Sequence, residues 1–299
     1  MRRRRCKGVT VALLVFALGA CATRTPEVVR YPEDEVPAGY PAYFSADIAA
    51  NRELLRMIAD SLEFDQTVVI DRTDRIAGAL DPRRGSLFVA VAFGDFPRGL
   101  VEFSLGFNGE LERRESTALA SADRNQAVFE QIDGALSLTL PRDDTLYLSN
   151  TPVDLMLDAT ARGRGFIRRD TYSSLINVGT TMGPEAVIVF EDPGAGLLAG
   201  LGLESPSVPL TSVSLALRAG PGSLYLDGAF TTRTPQEAAL FGRIGRLFVI
   251  IFVRALGLDP TAAREEAEIT ASGNRVLFSG IPMTNEELVQ VIGQFVRQE

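Results

Sequence analysis

Short apolar runs broken by glycine-bearing turns set the strongest limit on how this chain can fold. Gly94-Asp95-Phe96-Pro97-Arg98-Gly99, Asn108-Gly109, Asp133-Gly134, Gly220-Pro221-Gly222 and Ser272-Gly273-Asn274 each separate two such runs. Strands joined by so few residues pair antiparallel, because a parallel pair needs a crossover of about a dozen residues. The pattern predicts strands over 42–47, 86–93, 100–107, 110–115, 127–132, 135–140, 144–148, 186–191, 210–217, 223–230, 268–271 and 275–280. Helices are expected over 51–62, 73–80, 152–159, 234–258 and 285–296, with shorter ones near 197–201 and after Asp259-Pro260. Thr234 with Glu237, and Thr284 with Glu287, have the spacing of N-terminal capping boxes. The fold class expected is α+β: an antiparallel sheet of hairpins with helices packed on one face.

The order strand, helix, hairpin, variable middle, hairpin, helix occurs twice. The body therefore reads as two weakly related β-α-β-β-x-β-β-α halves, 42–183 and 184–299. The best local match sets Leu146-Tyr147-Leu148-Ser149-Asn150-Thr151-Pro152 beside Val276-Leu277-Phe278-Ser279-Gly280-Ile281-Pro282.

Residues 1–20 read as a removable export signal. Arg2, Arg3, Arg4, Arg5 and Lys7 precede an uncharged stretch of 12 residues, 9–20. That is too short for a bilayer span, which takes about 20. The stretch ends in Leu18-Gly19-Ala20-Cys21, which resembles the lipobox of bacterial lipoproteins. The resemblance implies cleavage before Cys21, a thioether-linked lipid on its thiol, and acylation of the new amino terminus by a chain such as palmitate. Two or three acyl chains hold a protein on a membrane where one is marginal. Ala22 stands where an Asp would imply retention at the inner membrane, so a cell-envelope location at the outer membrane is expected. Residues 21–41 carry Pro26, Pro32, Pro37 and Pro41 among Glu27, Glu33, Asp34 and Glu35, and read as a semi-stiff tether. In the body, Gly94-Asp95-Phe96-Pro97 between two strands, with 146–149 later, makes residues 42–160 similar to uncharacterised spirochaetal envelope lipoproteins, a resemblance that brings no known activity.

Absent residue types narrow the chemistry. The chain has no His, and its single lysine is Lys7. A Ser-His-Asp triad, histidine metal ligands, a P-loop lysine and a Schiff base are all excluded. Removing residues 1–20 leaves 25 arginines against 38 acids, a net charge of −13, which speaks against nucleic acid as a partner and implies repulsion from anionic lipid headgroups. Cys6 leaves with the signal and Cys21 is taken by lipid, so no disulfide is expected. The acid/base candidates are Asp95, Asp133, Asp143, Asp144, Glu191, Asp192 and Asp227. Most sit at turns, where Asp is favoured by local hydrogen bonding. No calcium-loop motif occurs, and Gly194-Ala195-Gly196 departs from the dinucleotide pattern. No catalytic, cofactor or metal residue is assigned.

In the long 234–258 helix, Arg243, Arg246 and Arg254 interrupt the apolar stretch, so a buried helix with a solvent-facing arginine edge is expected. The reading that follows is a non-enzymatic binding or scaffold module, moored to a membrane through Cys21 and meeting another envelope protein. The alternative is a carrier or sensor of an apolar ligand, held between the sheet and this helix in a groove lined by Leu247, Val249 and Ile251. A hydrolase using carboxylates alone stands third. Radiolabelled palmitate is expected to enter the native protein, and Cys21→Ser is expected to abolish both labelling and signal cleavage.

Overall fold

The turn-separated runs assemble into one antiparallel sheet of 12 strands. In this computed structural model the described residues are 31–49, 51–52, 56, 71–81, 87–107, 109, 111–118, 126–132, 134, 136–162, 186–191, 193, 210–220, 223–288 and 290. Strands β1 (Ala42–Asp47), β2 (Thr73–Asp81) and β3 (Leu87–Gly94) lead into helix α1 (Arg98–Gly106). Then come β4 (Leu111–Glu115), β5 (Ala127–Gln131), β6 (Ser137–Arg142), β7 (Thr145–Ser149) and helix α2 (Asp154–Arg162). The second half comprises β8 (Ala186–Glu191), β9 (Leu210–Gly220), β10 (Ser223–Thr232), α3 (Pro235–Ala255), α4 (Pro260–Glu265), β11 (Glu268–Ser272) and β12 (Arg275–Met283).

The strand order is β11-β12-β10-β9-β8-β1-β2-β3-β7-β6-β5-β4. β1 and β8 pair in the interior of the sheet, Ala42 opposite Phe190 and Phe44 opposite Ile188. Outward from that seam the first half runs β1-β2-β3-β7 and the second β8-β9-β10-β12. The two segments aligned in the sequence, now β7 and β12, take equivalent places.

Directly opposed residues in a sheet project to the same face. One such line crosses ten strands: Phe129, Leu138, Leu148, Ala90, Gly78, Phe44, Ile188, Leu215, Gly228 and Phe278. The two glycines make room for rings. A Cβ at Gly78 would lie 2.4 Å from Phe44 Cζ, and one at Gly228 would lie 2.3 Å from Phe278 Cζ. Helices α1 and α3 both cover this face, one toward each end of the sheet. Helix α2 takes the opposite face, with Met156 and Leu157 packed against Val91, Val128 and Tyr147. The α+β class with one antiparallel sheet thus holds, but two expected helices, α2 and α3, lie on opposite faces, and α1 joins α3.

Two expected elements are corrected. Residues 73–80 form β2, not a helix. Ile76, Ala77 and Leu80 have helical spacing, but the segment also alternates, and hydrogen bonds from β1 and β3 on both edges decide between the two. The strand expected over 100–107 is instead helix α1 (Arg98–Gly106), with Phe107 as its C-cap. Val101 and Leu105 are buried one turn apart, while Phe103 and Phe107, which completed the apparent alternation, point into solvent. Of the expected 51–62 helix, the described residues are Asn51, Arg52 and Arg56, the two arginines being helical. The signal, Cys21, the glycine-rich 194–200 segment and the boundary at 183 lie outside the described residues.

Helix α3 begins as its sequence predicts. Glu237 N–H donates to Thr234 Oγ1 at 3.2 Å, and Thr234 N–H donates to Glu237 Oε2 at 2.9 Å. It ends at Gly257, whose φ of 77° lets Leu258 N–H return to the Val253 carbonyl. The same reciprocal cap opens the helix after Thr284. Toward the sheet, Phe230 is the hub: its ring meets Phe241, Phe248 and Phe252 edge-on and stacks on Phe278 at 5.2 Å. Gly242 and Gly245 let the helix approach β11, since Cβ atoms there would lie 3.1 Å from Ala271 and 3.2 Å from Ile269. Phe230→Ala removes the hub and is expected to cost about 3–5 kcal/mol in urea unfolding.

Candidate functional site

A helix lying on a sheet normally shows solvent a polar outer face. Helix α3 does not. Leu240, Ile244, Leu247 and Ile251 recur at intervals of four, three and four residues and are 67%, 53%, 60% and 41% exposed. They form a stripe on the side away from the sheet, opposite buried Phe241, Val249, Phe252 and Val253. Exposed Arg243 and Arg254, 11 residues apart and so about 20° from eclipsed, border the stripe on one side. Arg246 lies further round, where its guanidinium donates to the carbonyls of Arg264 and Ala267.

Helix α1 repeats the feature in miniature. Leu100, Phe103 and Phe107 are 52%, 64% and 75% exposed, and the two phenylalanine rings touch with centroids 4.6 Å apart. Buried Val101 and Leu105 hold the opposite side against the sheet. Since α1 and α3 cover the same sheet face, both stripes point away from that face.

The proposed groove lining is corrected by this geometry. Leu247 and Ile251 face outward, whereas Val249 is fully buried. Side chains two residues apart on a helix diverge by about 200°, so the three line no common groove. The phenylalanine cluster fills the space between helix and sheet.

Among the described residues the candidate carboxylates are separately partnered or exposed. Asp95 is exposed and lies 3.6 Å from Arg72. Asp143 faces the Arg98 N–H at the start of α1, and Asp144 pairs with Arg142 at 3.3 Å. Glu191 is exposed at the end of β8. Asp227 is buried on the other face, held by Arg218 at 3.1 Å and by the Gly280 N–H at 2.8 Å. Asp133 and Asp192 lie outside the described residues. Among the described residues no group of three or more His, Cys, Asp or Glu could hold a metal ion.

Two polar clusters on the α2 side were not foreseen. Residues 32–40, placed in the tether by composition, are fixed to the sheet. The Glu35 carboxylate accepts from Arg142 and, at 2.6 Å, from the Tyr147 hydroxyl, while Val36 is fully buried. Burial first, and then the Glu35 charge, push the Tyr147 hydroxyl well above the usual phenol range, so it remains a donor. Ser45 donates to Glu33, and the Gly39 and Tyr40 amides donate to the Tyr43 hydroxyl. The signal for this lay in the tyrosines of β1 and β7, whose buried hydroxyls need partners. In the second cluster, Asp154 at the start of α2 accepts from Arg114 and Ser116, both at 2.6 Å, and from the Thr117 amide at 2.8 Å.

These features define an α+β protein with a single broad antiparallel sheet, helices on both faces, and outward apolar stripes on the two that share one face. Crystal structures of TP0453, an envelope-associated protein of the spirochaete Treponema, share this fold. Crystal form I matches with a TM-score of 0.62 at 15% identity over 90% of this chain and 98% of TP0453. Forms III and IV match at 0.61 and 0.60, with 14% and 16% identity and 88% of this chain covered in each, against 98% and 97% of TP0453. Comparison with known protein families gives no match, and neither does comparison with curated proteins.

Burial opposes the charge on Asp154, but the bonds from Arg114, Ser116 and Thr117 outweigh it and hold the carboxyl below its ordinary value of 3.8. Its contribution to stability is therefore complete above that value and is lost as the pH falls through the lowered one. Asp154→Asn is expected to destabilise by about 2 kcal/mol at pH 7. Below the ordinary value, the gap between native and variant proteins in urea unfolding should close.

Proposed function

We propose that this protein is a non-enzymatic, lipid-anchored protein of the bacterial envelope whose body lies on a membrane surface through α3 and α1. The observation that carries the reading is the α3 stripe, Leu240, Ile244, Leu247 and Ile251, with Arg243 and Arg254 along its edge. An apolar face flanked by arginines suits the boundary between headgroups and acyl chains, where a helix lies flat. No described helix is long and apolar enough to cross a membrane. At ~25 cal/mol per Å², seating four half-exposed aliphatic side chains is worth about 1 kcal/mol each. Together that is about 4 kcal/mol, a millimolar affinity: weak but measurable for the free body at high lipid concentration, and enough to orient one already tethered by lipid. The lipobox ending at Cys21 supplies that tether, with Ala22 favouring the outer membrane, and the shared fold of an envelope-associated spirochaetal protein is in keeping with this setting.

The test separates helix from anchor. Mature chain carrying Cys21→Ser is mixed with lipid vesicles and floated. At high lipid concentration a measurable fraction of the body is expected to rise with the vesicles, and Ile244→Glu with Leu247→Glu to cut that fraction at least tenfold while the circular dichroism spectrum is unchanged. A body that stays behind, or a double variant that floats undiminished, overturns the proposal in favour of a protein partner for this face.

A further inference from the structure

We infer that the outward face of α3 selects anionic lipid headgroups, through the guanidinium groups of Arg243 and Arg254. The inference rests on the membrane-seated reading above and names what that seat recognises.

Charge is distributed unevenly. The chain without residues 1–20 carries −13, yet residues 239–254 contain three arginines and no acid. The nearest acids along the chain, Glu237 before and Asp259 after, are engaged elsewhere: Glu237 in the N-terminal cap, and Asp259 with the Thr261 amide. Arginines in this protein are commonly committed to carboxylates, as Arg98 is to Glu102, Arg114 to Asp154, Arg142 to Glu35 and Arg218 to Asp227. Arg246 is committed to backbone carbonyls. Arg243 and Arg254 are exposed, and neither takes part in an ion pair or hydrogen bond among the described residues.

Their position is as informative as their freedom. Both border the same side of the apolar stripe, about three turns apart. With the stripe between acyl chains, both guanidinium groups lie at the depth of lipid phosphates and can donate two parallel hydrogen bonds to each. A body this acidic is repelled by an anionic surface at long range, but that repulsion is screened beyond about 8 Å at physiological salt. The local arginine contact therefore decides the preference.

The mature chain carrying Cys21→Ser is titrated with vesicles of phosphatidylcholine alone and of phosphatidylcholine mixed with phosphatidylglycerol. Stronger partition onto the mixed vesicles is expected, falling as salt rises. Each arginine near a charged surface contributes roughly fivefold, so R243Q with R254Q should lose about twenty-five-fold on mixed vesicles and stay unchanged on the neutral ones. Arg113→Gln, which removes a charge from β4, should keep the preference. Equal partition of the native chain on both vesicle types, or a double variant that keeps the anionic preference, overturns this inference while leaving the membrane seat intact. Failure to bind either vesicle overturns the seat itself and this inference with it.

Discussion

The pairing of β1 with β8 is the constraint from which the rest of the structure follows. Without it each half would end in an unpaired strand edge of the kind that invites aggregation. With it, Ala42 opposite Phe190 and Phe44 opposite Ile188 turn two short sheets into one, leaving β4 and β11 as the outer strands. β4 is protected by its own sequence, Leu-Glu-Arg-Arg-Glu. Joining the halves also fixes which faces must be covered, because the register carries one continuous apolar line from β5 to β12. Helices α1 and α3 meet that need on the same side, each entering after the third strand of its half.

Covering the sheet accounts for only one side of each helix. Helix α3 devotes Phe241, Val249, Phe252 and Val253 to the sheet and could have carried polar residues elsewhere. It instead repeats aliphatic side chains along its outer surface. Four such residues at helical spacing differ from scattered surface hydrophobics, which need no explanation. That α1 does the same with Leu100, Phe103 and Phe107, at the other end of the same face, makes chance placement a poor account of either stripe.

Legibility in the sequence tracked this distinction. The β9–β10 and β11–β12 hairpins were readable because glycine-bearing turns bracket strands with a conventional inner face. The α3 boundaries were readable from Thr234, Pro235 and Glu237. Helix α1 was misread because Phe103 and Phe107 are exposed: counting them as core produces a strand-like alternation, and only Val101 and Leu105 belong to the core. The rule that apolar residues point inward fails where a surface has another use. β2 failed for a different reason, since Ile76, Ala77 and Leu80 satisfy both periods and only its two neighbours decide. The hold on Glu35 was hidden because Arg142 and Tyr147 lie more than a hundred residues away in sequence.

On the reading proposed above, a lipid anchor and the helix stripes would divide the work of attachment. Residues 32–40 are fixed on the α2 side of the sheet by Glu35, Val36 and the amides above Tyr43, whereas the stripes of α3 and α1 point away from the other side. A lipid confers proximity and no orientation, because acyl chains on a linker leave the body free to turn. The stripes confer orientation but little affinity, because each aliphatic contact is worth about 1 kcal/mol. On that reading, proximity would convert the weak contact into an intramolecular one at high effective concentration, so that a few half-exposed leucines and isoleucines would suffice to set which face meets the membrane.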